Sequence, residues 1–345
     1  MNDMTRMPRA ERELSLLERA MLLGPAPSSP LPFREGAGGG ASDLGVAVVL
    51  APPPNPSPDG EGPASFPASN GVIDTLAAIP AEFLAGADGD EDDWTPPPVT
   101  PGEARIDRGL LAESGMIVPG APIGPLAEEF RLIKRQLFVT RERLAAGGEA
   151  ERARTLLVCS ARPDDGKTFC AINLALSVAA ERDTEVLLVD ADVAKPDVCR
   201  RLGLRSGPGL LDTLYDADID PESLVMQTDV PHFSVLPAGA RTAMDTELLA
   251  SARTRTVIAR LLAANPRRLV IFDSPPALAA SPAAVLAMLV GQVMLVVRAD
   301  RTPESEVTAA VQLLDGCDHI GLVLNAVSFV PDRHRFGSYY GQEMS

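Results

Sequence analysis

One loop of the chain holds side chains suited to binding phosphate. Residues 160–168 read Ser-Ala-Arg-Pro-Asp-Asp-Gly-Lys-Thr, which is similar to the phosphate-binding pattern Gly-x-x-x-x-Gly-Lys-Ser/Thr with Ala161 at the first glycine. Backbone amides at the start of a helix point toward anionic oxygens. Lys167 would neutralise the terminal phosphates of a nucleotide, and the Thr168 hydroxyl would hold Mg²⁺. The loop residues expected at the nucleotide are Ala161, Asp164, Asp165, Gly166, Lys167, Thr168 and Phe169.

Three aspartates follow apolar runs that are typical of buried strands. Asp190 and Asp192 come after the run 185–189, and Asp273 comes after the run 269–272. Because open α/β sheets bind ligands beyond the carboxyl ends of their strands, these carboxylates are expected to meet the loop there. Any one of them could instead cap a loop. All three beside Gly-Lys-Thr indicate a metal–phosphate site suited to phosphoryl transfer, which depends on positioning and charge neutralisation.

Two tyrosines stand side by side near the C-terminus. The chain has three tyrosines, and Tyr339 and Tyr340 lie together in a polar tail with Gly337 and Gly341. A flexible tail gains no packing energy from paired tyrosines, which favours a functional role for them. The alternative is that the pair occurs by chance. The tail, residues 331–345, is too short to be a domain.

The elements that must position these residues alternate between strand and helix. Strands are predicted at 155–159, 185–189, 233–236, 269–272, 293–297 and 321–324, with a helix from 167 to 182 after the loop. The strand runs are continuously apolar, as in a sheet that is buried on both faces. The predicted fold class is therefore α/β, with a mostly parallel sheet flanked by helices, as in P-loop NTPases.

A second helix is predicted over residues 126–144. Phe130, Ile133 and Leu137 would lie on one side, and Glu128, Arg131 and Lys134 on the other. Such a charged row is usually a solvated face held by local ion pairs.

The composition divides the chain. Residues 1–125 hold most of the 32 prolines, a glycine cluster and the acidic run 88–93, so this region is predicted to be largely disordered apart from a short helix over 10–23. Residues 126–330 would form the folded domain. The net charge of -16 argues against nucleic-acid binding. The four separated cysteines fit reduced cytoplasmic thiols, and the charged N-terminal segment lacks the apolar stretch expected of a signal peptide. The uncharged stretch 274–297 could span a membrane, but its prolines and Gly291 favour buried core.

Together these motifs resemble those of the bacterial tyrosine autokinases of exopolysaccharide synthesis, and most closely the exosortase-associated branch, which lacks a fused membrane domain. The resemblance covers roughly residue 126 to the end, plus the segment 15–20. It implies that Lys167 and Thr168 belong to Walker A, Asp190 and Asp192 to Walker A′, and Asp273 to Walker B.

The resemblance also implies a mechanism. The γ-phosphoryl group of Mg·ATP would pass to Tyr339 and Tyr340 of a neighbouring protomer, with Lys167, Asp190 and Asp192 catalytic and Asp190 taking the tyrosine proton. Thr168, Asp192 and Asp273 would hold Mg²⁺, and Asn325 would touch the adenine. Glu128, Arg131 and Lys134 would form a self-association segment of a homo-oligomer. The protein would be cytoplasmic, with a membrane polysaccharide co-polymerase (chain-length) protein as its partner.

Three positions depart from the family's pattern. Ala194 stands where an arginine is usual, with Lys195 one place late. Lys134 replaces an arginine of the self-association segment, and lysine cannot form a bidentate guanidinium pair. The tail has two tyrosines where many relatives carry more.

Two alternatives remain open on the sequence. One is a P-loop ATPase of the septum-positioning and partition type, which carries a signature lysine where this chain has Arg162. The other is a nucleotide-binding assembly partner with little catalysis, which Ala194 would favour.

Overall fold

The computed structural model describes residues 43–49, 104–241 and 244–327, and the statements below concern these residues. The strands are β1 (Asp43–Val49), β2 (Thr155–Ser160), β3 (Glu185–Asp190), β4 (Met226–Gln227), β5 (Phe233–Leu236), β6 (Arg268–Asp273), β7 (Gln292–Arg298) and β8 (His319–Asn325). The helices are α1 (Arg108–Glu113), α2 (Pro125–Ala146), α3 (Lys167–Ala179), α4 (Val198–Leu202), α5 (Leu210–Tyr215), α6 (Asp245–Ala250), α7 (Ala252–Ala264), α8 (Pro282–Ala287) and α9 (Glu304–Leu313).

The strands form one sheet in the order β1-β8-β7-β2-β6-β3-β5-β4. Every neighbouring pair is parallel except β4 and β5. All residues of β2 and β6 are buried. The continuous apolar runs predicted this burial, because such runs are typical of a sheet covered on both faces. The predicted α/β class with a mostly parallel sheet is confirmed, and each predicted strand is present within about two residues of its expected bounds.

Side chains that alternate along the strands build two hydrophobic clusters, one on each face of the sheet. Leu156 and Val158 of β2 pack in a cluster with residues of α2 and α3. Leu157 and Cys159 pack in the other, with residues of α5, α7 and α8. This alternation follows from the two-residue period of a strand.

Helix α3 connects the phosphate-binding loop to this core. Every residue after Lys167 is buried, from Thr168 to Ala179. One side meets the sheet, and α2 covers the other through Phe130, Ile133 and Leu137. The start of α3 is therefore held rigidly at the carboxyl edge of β2.

The folded part extends further toward the N-terminus than predicted, which corrects the boundary at residue 125. Ala104 bridges to Thr228, and Ile106, Leu111 and Met116 are buried in the cluster on the α2–α3 face. β1 also pairs with β8 inside the region predicted to be disordered. Ile106, Leu111 and Met116 are spaced five residues apart, which matches neither the period of a helix nor that of a strand. Sequence periodicity therefore could not detect them. The predicted helix over 10–23 lies outside the described residues.

The uncharged stretch 274–297 is a loop, α8 and most of β7 rather than one helix. In the part of the chain that the structure describes, no helix is long and apolar enough to cross a membrane. The buried-core interpretation is confirmed for this stretch.

Candidate active site

The predicted phosphate-binding loop lies between the end of β2 and the start of α3. Two of its residues, Asp164 (φ 65°) and Gly166 (φ 98°), have left-handed backbone conformations. The Ser160 hydroxyl donates to the Arg162 carbonyl at 2.7 Å, and the Arg162 amide donates to the Asp165 carboxylate at 3.0 Å. These bonds hold the loop in a tight turn before the first amides of α3.

Asn325, at the end of β8, supports the loop from the side. Its Nδ2 donates to the Asp165 carbonyl at 2.9 Å. A Cβ on Gly166 would lie 2.1 Å from the same nitrogen, so the close approach and the positive φ both require glycine. The predicted contact of Asn325 with adenine stays a prediction, whereas its contact with the loop is present in the fold.

Lys167 lies at the centre of the predicted carboxylates. Its Nζ is 2.6 Å from Asp192 Oδ2 and 3.6 Å from Asp273 Oδ1. It also donates to Thr168 Oγ1 at 3.2 Å, and Thr168 Oγ1 donates to Asp273 Oδ2 at 2.7 Å. The structure thus brings together the loop lysine, the loop threonine and the strand-end aspartates, as predicted from the topology of parallel sheets.

Asp190 lies beside Asp273 because β3 and β6 are neighbours and the two residues are register partners. Asp190 Oδ2 accepts hydrogen bonds from the amides of Asp197 and Val198 at 3.0 and 3.1 Å, while its buried Oδ1 accepts none from the described residues. Burial, helped by the charge of Asp273, raises the pKa of Asp190 to about 7, against the opposing Val198 amide and Lys167. One oxygen of this carboxylate is therefore fixed and the other is free to accept a proton.

The other charges of the cluster show the same competition between burial and neighbours. Burial raises the pKa of Asp273 to about 6, although Lys167 and the Thr168 hydroxyl lower it. Burial lowers the pKa of Lys167, but the charges of Asp273 and Asp192 outweigh this and raise the pKa above its ordinary value. Lys167 therefore stays an ammonium in a site with excess negative charge.

The donor set fits a magnesium ion that is shared with phosphate. Within the described residues, no three His, Cys, Asp or Glu side chains cluster as an all-protein metal site. Mg²⁺ normally uses only one or two carboxylates together with substrate phosphates. Thr168, Asp192 and the buried Oδ1 of Asp273, which accepts no hydrogen bond from the described residues, provide such a partial set.

The turn after β3 carries the departure at Ala194. The Lys195 amide donates to Asp192 Oδ1 at 3.1 Å, which closes the turn. Ala194 and Lys195 are exposed, and Lys195 Nζ lies 3.6 Å from Oδ1 of the equally exposed Asp164. Lys195 therefore reaches the phosphate-binding loop from the rim of the site.

Three loop residues predicted to bind nucleotide have buried side chains. Ala161 is fully buried, Phe169 packs in the core, and the Asp165 carboxylate accepts from the Arg162 amide and the Thr302 hydroxyl. Their side chains stabilise the loop, so only their backbones are available to a ligand.

Two residues that support the loop, Arg298 at the end of β7 and Thr302 in the turn after it, were not predicted from the sequence. Arg298 Nη1 donates to the Asp164 carbonyl at 2.9 Å, and Thr302 Oγ1 donates to Asp165 at 3.0 Å. Arg298 comes directly after the predicted strand 293–297, at the same carboxyl edge as the aspartates, so the edge rule that selected Asp190 and Asp273 would have selected it too. Thr302 lies four residues further along, in the turn before α9, where that rule does not reach.

The predicted charged row on α2 is only partly exposed. Arg131 Nη1 lies 2.5 Å from Glu128 Oε1 on the surface. Lys134 is buried instead, with Nζ 2.5 Å from Glu181 and 3.1 Å from the Ser177 carbonyl. Residues three apart drift by about 60° around a helix, so two steps carry Lys134 toward the core and correct its predicted place in the row.

The predicted phosphoacceptors Tyr339 and Tyr340 lie outside the described residues. Tyr215, at the end of α5, is 74% exposed.

Several known proteins that are similar to this chain are bacterial tyrosine-protein kinases. No protein-family model matches the chain. The tyrosine-protein kinase YwqD of Bacillus subtilis is 28% identical over 69% of this chain and 95% of its own length. The tyrosine-protein kinase Etk of Escherichia coli is 33% identical over 50% of this chain, which is 23% of Etk. The solved kinase domain of Escherichia coli ETK aligns with a TM-score of 0.53 at 26% identity, over 68% of this chain and 93% of that domain.

Proposed function

We propose that this chain, a homologue of the bacterial tyrosine-protein kinases, transfers the γ-phosphoryl group of ATP to tyrosines of its own C-terminal tail. The observation that carries the proposal is the cluster around Lys167. A loop lysine, a loop threonine and three strand-end aspartates meet at the start of a buried helix. This is the arrangement that phosphoryl transfer needs, since its catalysis is mainly positioning and charge neutralisation.

The chain's own groups divide the work. Amides at the start of α3 and the Lys167 ammonium would hold the β- and γ-phosphates, for which Lys167 would exchange part of its contact with Asp192. Thr168, Asp192 and Asp273 would hold Mg²⁺, which when bound offsets phosphate charge. The tyrosine Oη would form the new bond to phosphorus while the bond to the ADP oxygen breaks. The tyrosine proton would pass to the free Oδ1 of Asp190.

The acceptors proposed are Tyr339 and Tyr340 of a neighbouring protomer, within a homo-oligomer that uses the surface of α2 around Glu128 and Arg131. The setting proposed is regulation of exopolysaccharide synthesis with a membrane polysaccharide co-polymerase protein. Assignment to the exosortase-associated branch stays a prediction.

The decisive experiment is phosphosite mass spectrometry of the purified chain incubated with Mg·ATP. We expect phosphate on Tyr339 and Tyr340, with Tyr215 as an internal control because it is exposed but outside the tail. Lys167→Ala should abolish the product. Because Lys167 also offsets the charge of buried carboxylates, thermal unfolding is used to check that the Lys167→Ala variant is folded. The matched control is Arg255→Ala, which removes an exposed cation from α7.

Transfer between protomers is tested by mixing two variants. Lys167→Ala retains the tail tyrosines, and a Tyr339→Phe, Tyr340→Phe double variant retains the active site. Phosphate on the tail of the Lys167→Ala chain establishes transfer in trans. ATP hydrolysis without any phosphotyrosine, in the wild type and in the mixture, would refute the kinase and favour the switch ATPase.

A further inference from the structure

We propose that Asp197 is a positioning residue that holds the Asp190 carboxylate in its working orientation, an inference that rests on the function proposed above. Asp197 does not touch the loop or the predicted metal ligands through its side chain. It acts through its own backbone, which forms part of the turn that closes over Asp190.

The first observation is the pair of hydrogen bonds that orient Asp190. Both bonds, from the Asp197 and Val198 amides, end on Oδ2, and both are buried. Oδ1 accepts no hydrogen bond within the part of the chain that the structure describes. The position of the peptide groups at 197 and 198 therefore decides which oxygen of Asp190 faces the reacting tyrosine.

The second observation is how Asp197 itself is held. Its residue is 9% exposed, and its carboxylate accepts from Arg200 Nε at 2.6 Å and from Arg201 Nε at 2.5 Å. A third arginine nitrogen, Arg200 Nη2, lies 2.5 Å from the same carboxylate. A nearly buried charge is tolerated only when it is paired, so the three side chains fix the turn as one unit.

A simple capping role does not explain this geometry. Asp197 is the residue before α4, where an aspartate side chain usually accepts an amide of the first helical turn. Here the side chain makes no such bond. The carboxylate is turned toward the two guanidinium groups, and the amides at the start of α4 point to Asp190 instead.

The other end of α4 is fixed as well, so the turn has little freedom to shift. The Leu202 carbonyl accepts the Asp107 amide at 3.0 Å. A Cβ on Gly203, which follows α4 with φ 70°, would lie 2.5 Å from Asp107 Cβ. With both ends anchored, the ion pairs of Asp197 are the part of the turn that a single substitution can release.

The test compares Asp197→Asn with Asp183→Asn, an exposed aspartate after α3. In the full chain with Mg·ATP, Asp197→Asn should lower kcat for phosphotyrosine formation about 10- to 100-fold, the range for a misplaced catalytic group. The KM for ATP should change less than about twofold, because the phosphate-holding groups are untouched. Asp183→Asn should match the wild type. A rise in KM with unchanged kcat would overturn the inference.

A double-mutant cycle separates positioning from a general loss of structure. If Asp197 acts only through Asp190, adding Asp197→Asn to Asp190→Asn should lower the residual rate no further. Equal losses in both backgrounds would mean that Asp197 acts independently. Arg201→Met should reproduce part of the kcat loss, since it removes one of the two cations that hold Asp197.

Amide hydrogen exchange tests the inference even if the chain proves not to be a kinase. In the wild type the amides of Asp197 and Val198 should be protected by Asp190, and Asp197→Asn should speed their exchange about 10-fold or more. Unchanged exchange would overturn the positioning role whatever the activity. Faster exchange in Asp197→Asn, together with no phosphotyrosine from the wild type, would support the local geometry and reject the proposed function alone.

Discussion

Replacement of Asp190 by asparagine should stabilise the fold at pH 8 although it removes the proposed proton acceptor. Asp190 is 1% exposed, and one of its oxygens has no hydrogen-bond partner among residues 104–241 and 244–327. Asparagine keeps an oxygen for the two amides that Asp190 accepts and carries no charge into the buried site. The buried carboxylate lowers the free energy of unfolding of the wild type, and the variant should therefore regain that stability.

The pH dependence fixes the size of the effect. In the folded chain the pKa of Asp190 is raised to about 7, whereas an unfolded aspartate titrates near 3.9. Between these values the folded state binds more protons, so wild-type stability falls as pH rises. The pH rises by about two units from pH 5 to the folded pKa, and each unit lowers the free energy of unfolding of the wild type by about 1.4 kcal/mol. The variant's free energy of unfolding, relative to the wild type, should therefore grow by about 3 kcal/mol between pH 5 and pH 8.

The assay is urea unfolding of wild type and Asp190→Asn at pH 5, 6, 7 and 8, with EDTA and without nucleotide. Any packing cost of the amide is independent of pH and cancels from the growth of the difference. Asp183→Asn serves as the control and should show no such growth, because that residue is exposed. A difference that stays constant or shrinks from pH 5 to pH 8 would refute the electrostatic reasoning.

Further predictions concern the loop, the core and the surface of α2. Gly166→Ala should lower stability by about 1–3 kcal/mol and weaken nucleotide binding, because its Cβ would lie 2.1 Å from Asn325 Nδ2; thermal unfolding and nucleotide titration measure both, and unchanged values would contradict it. Phe130→Ala should cost about 3–5 kcal/mol in urea unfolding, since its fully buried ring joins α2 to the core; a loss below about 1 kcal/mol would show that α2 is loosely packed. Glu128→Ala with Arg131→Ala should lower the mass of the oligomer in light scattering at little cost in stability, and an unchanged mass would make this pair an ordinary solvated one.

The sequence predicted the elements of the central sheet well because each buried strand is a continuous apolar run. It also predicted that Lys167, Asp190 and Asp273 meet, since the carboxyl ends of parallel strands share one edge. It did not predict the packing of residues 104–116. There the buried positions Ile106, Leu111 and Met116 are ordered by tertiary contacts rather than by any local period.

Side-chain roles within the site were harder to predict than its location. Lys134 appeared to belong to a surface row but contacts Glu181, because a spacing of three does not follow the 3.6-residue turn. Asp197 carries no motif, and its contact with Asp190 depends on a turn geometry that the sequence does not encode by type or spacing. Sequence motifs identify residues that are predicted to contact a ligand. They do not identify the residues that position those side chains.

The distribution of charge explains why Ala194 does not by itself argue against phosphoryl transfer. Asp190, Asp192 and Asp273 are nearly buried, and Lys167 is the cation that contacts Asp192 and Asp273 directly. Ala194 lies outside this cluster, on an exposed turn. An arginine there would add charge at the rim, where Lys195 already reaches Asp164. Since exposed charges act weakly through solvent, the absence of an arginine at position 194 leaves unchanged the buried groups that are proposed to hold phosphate.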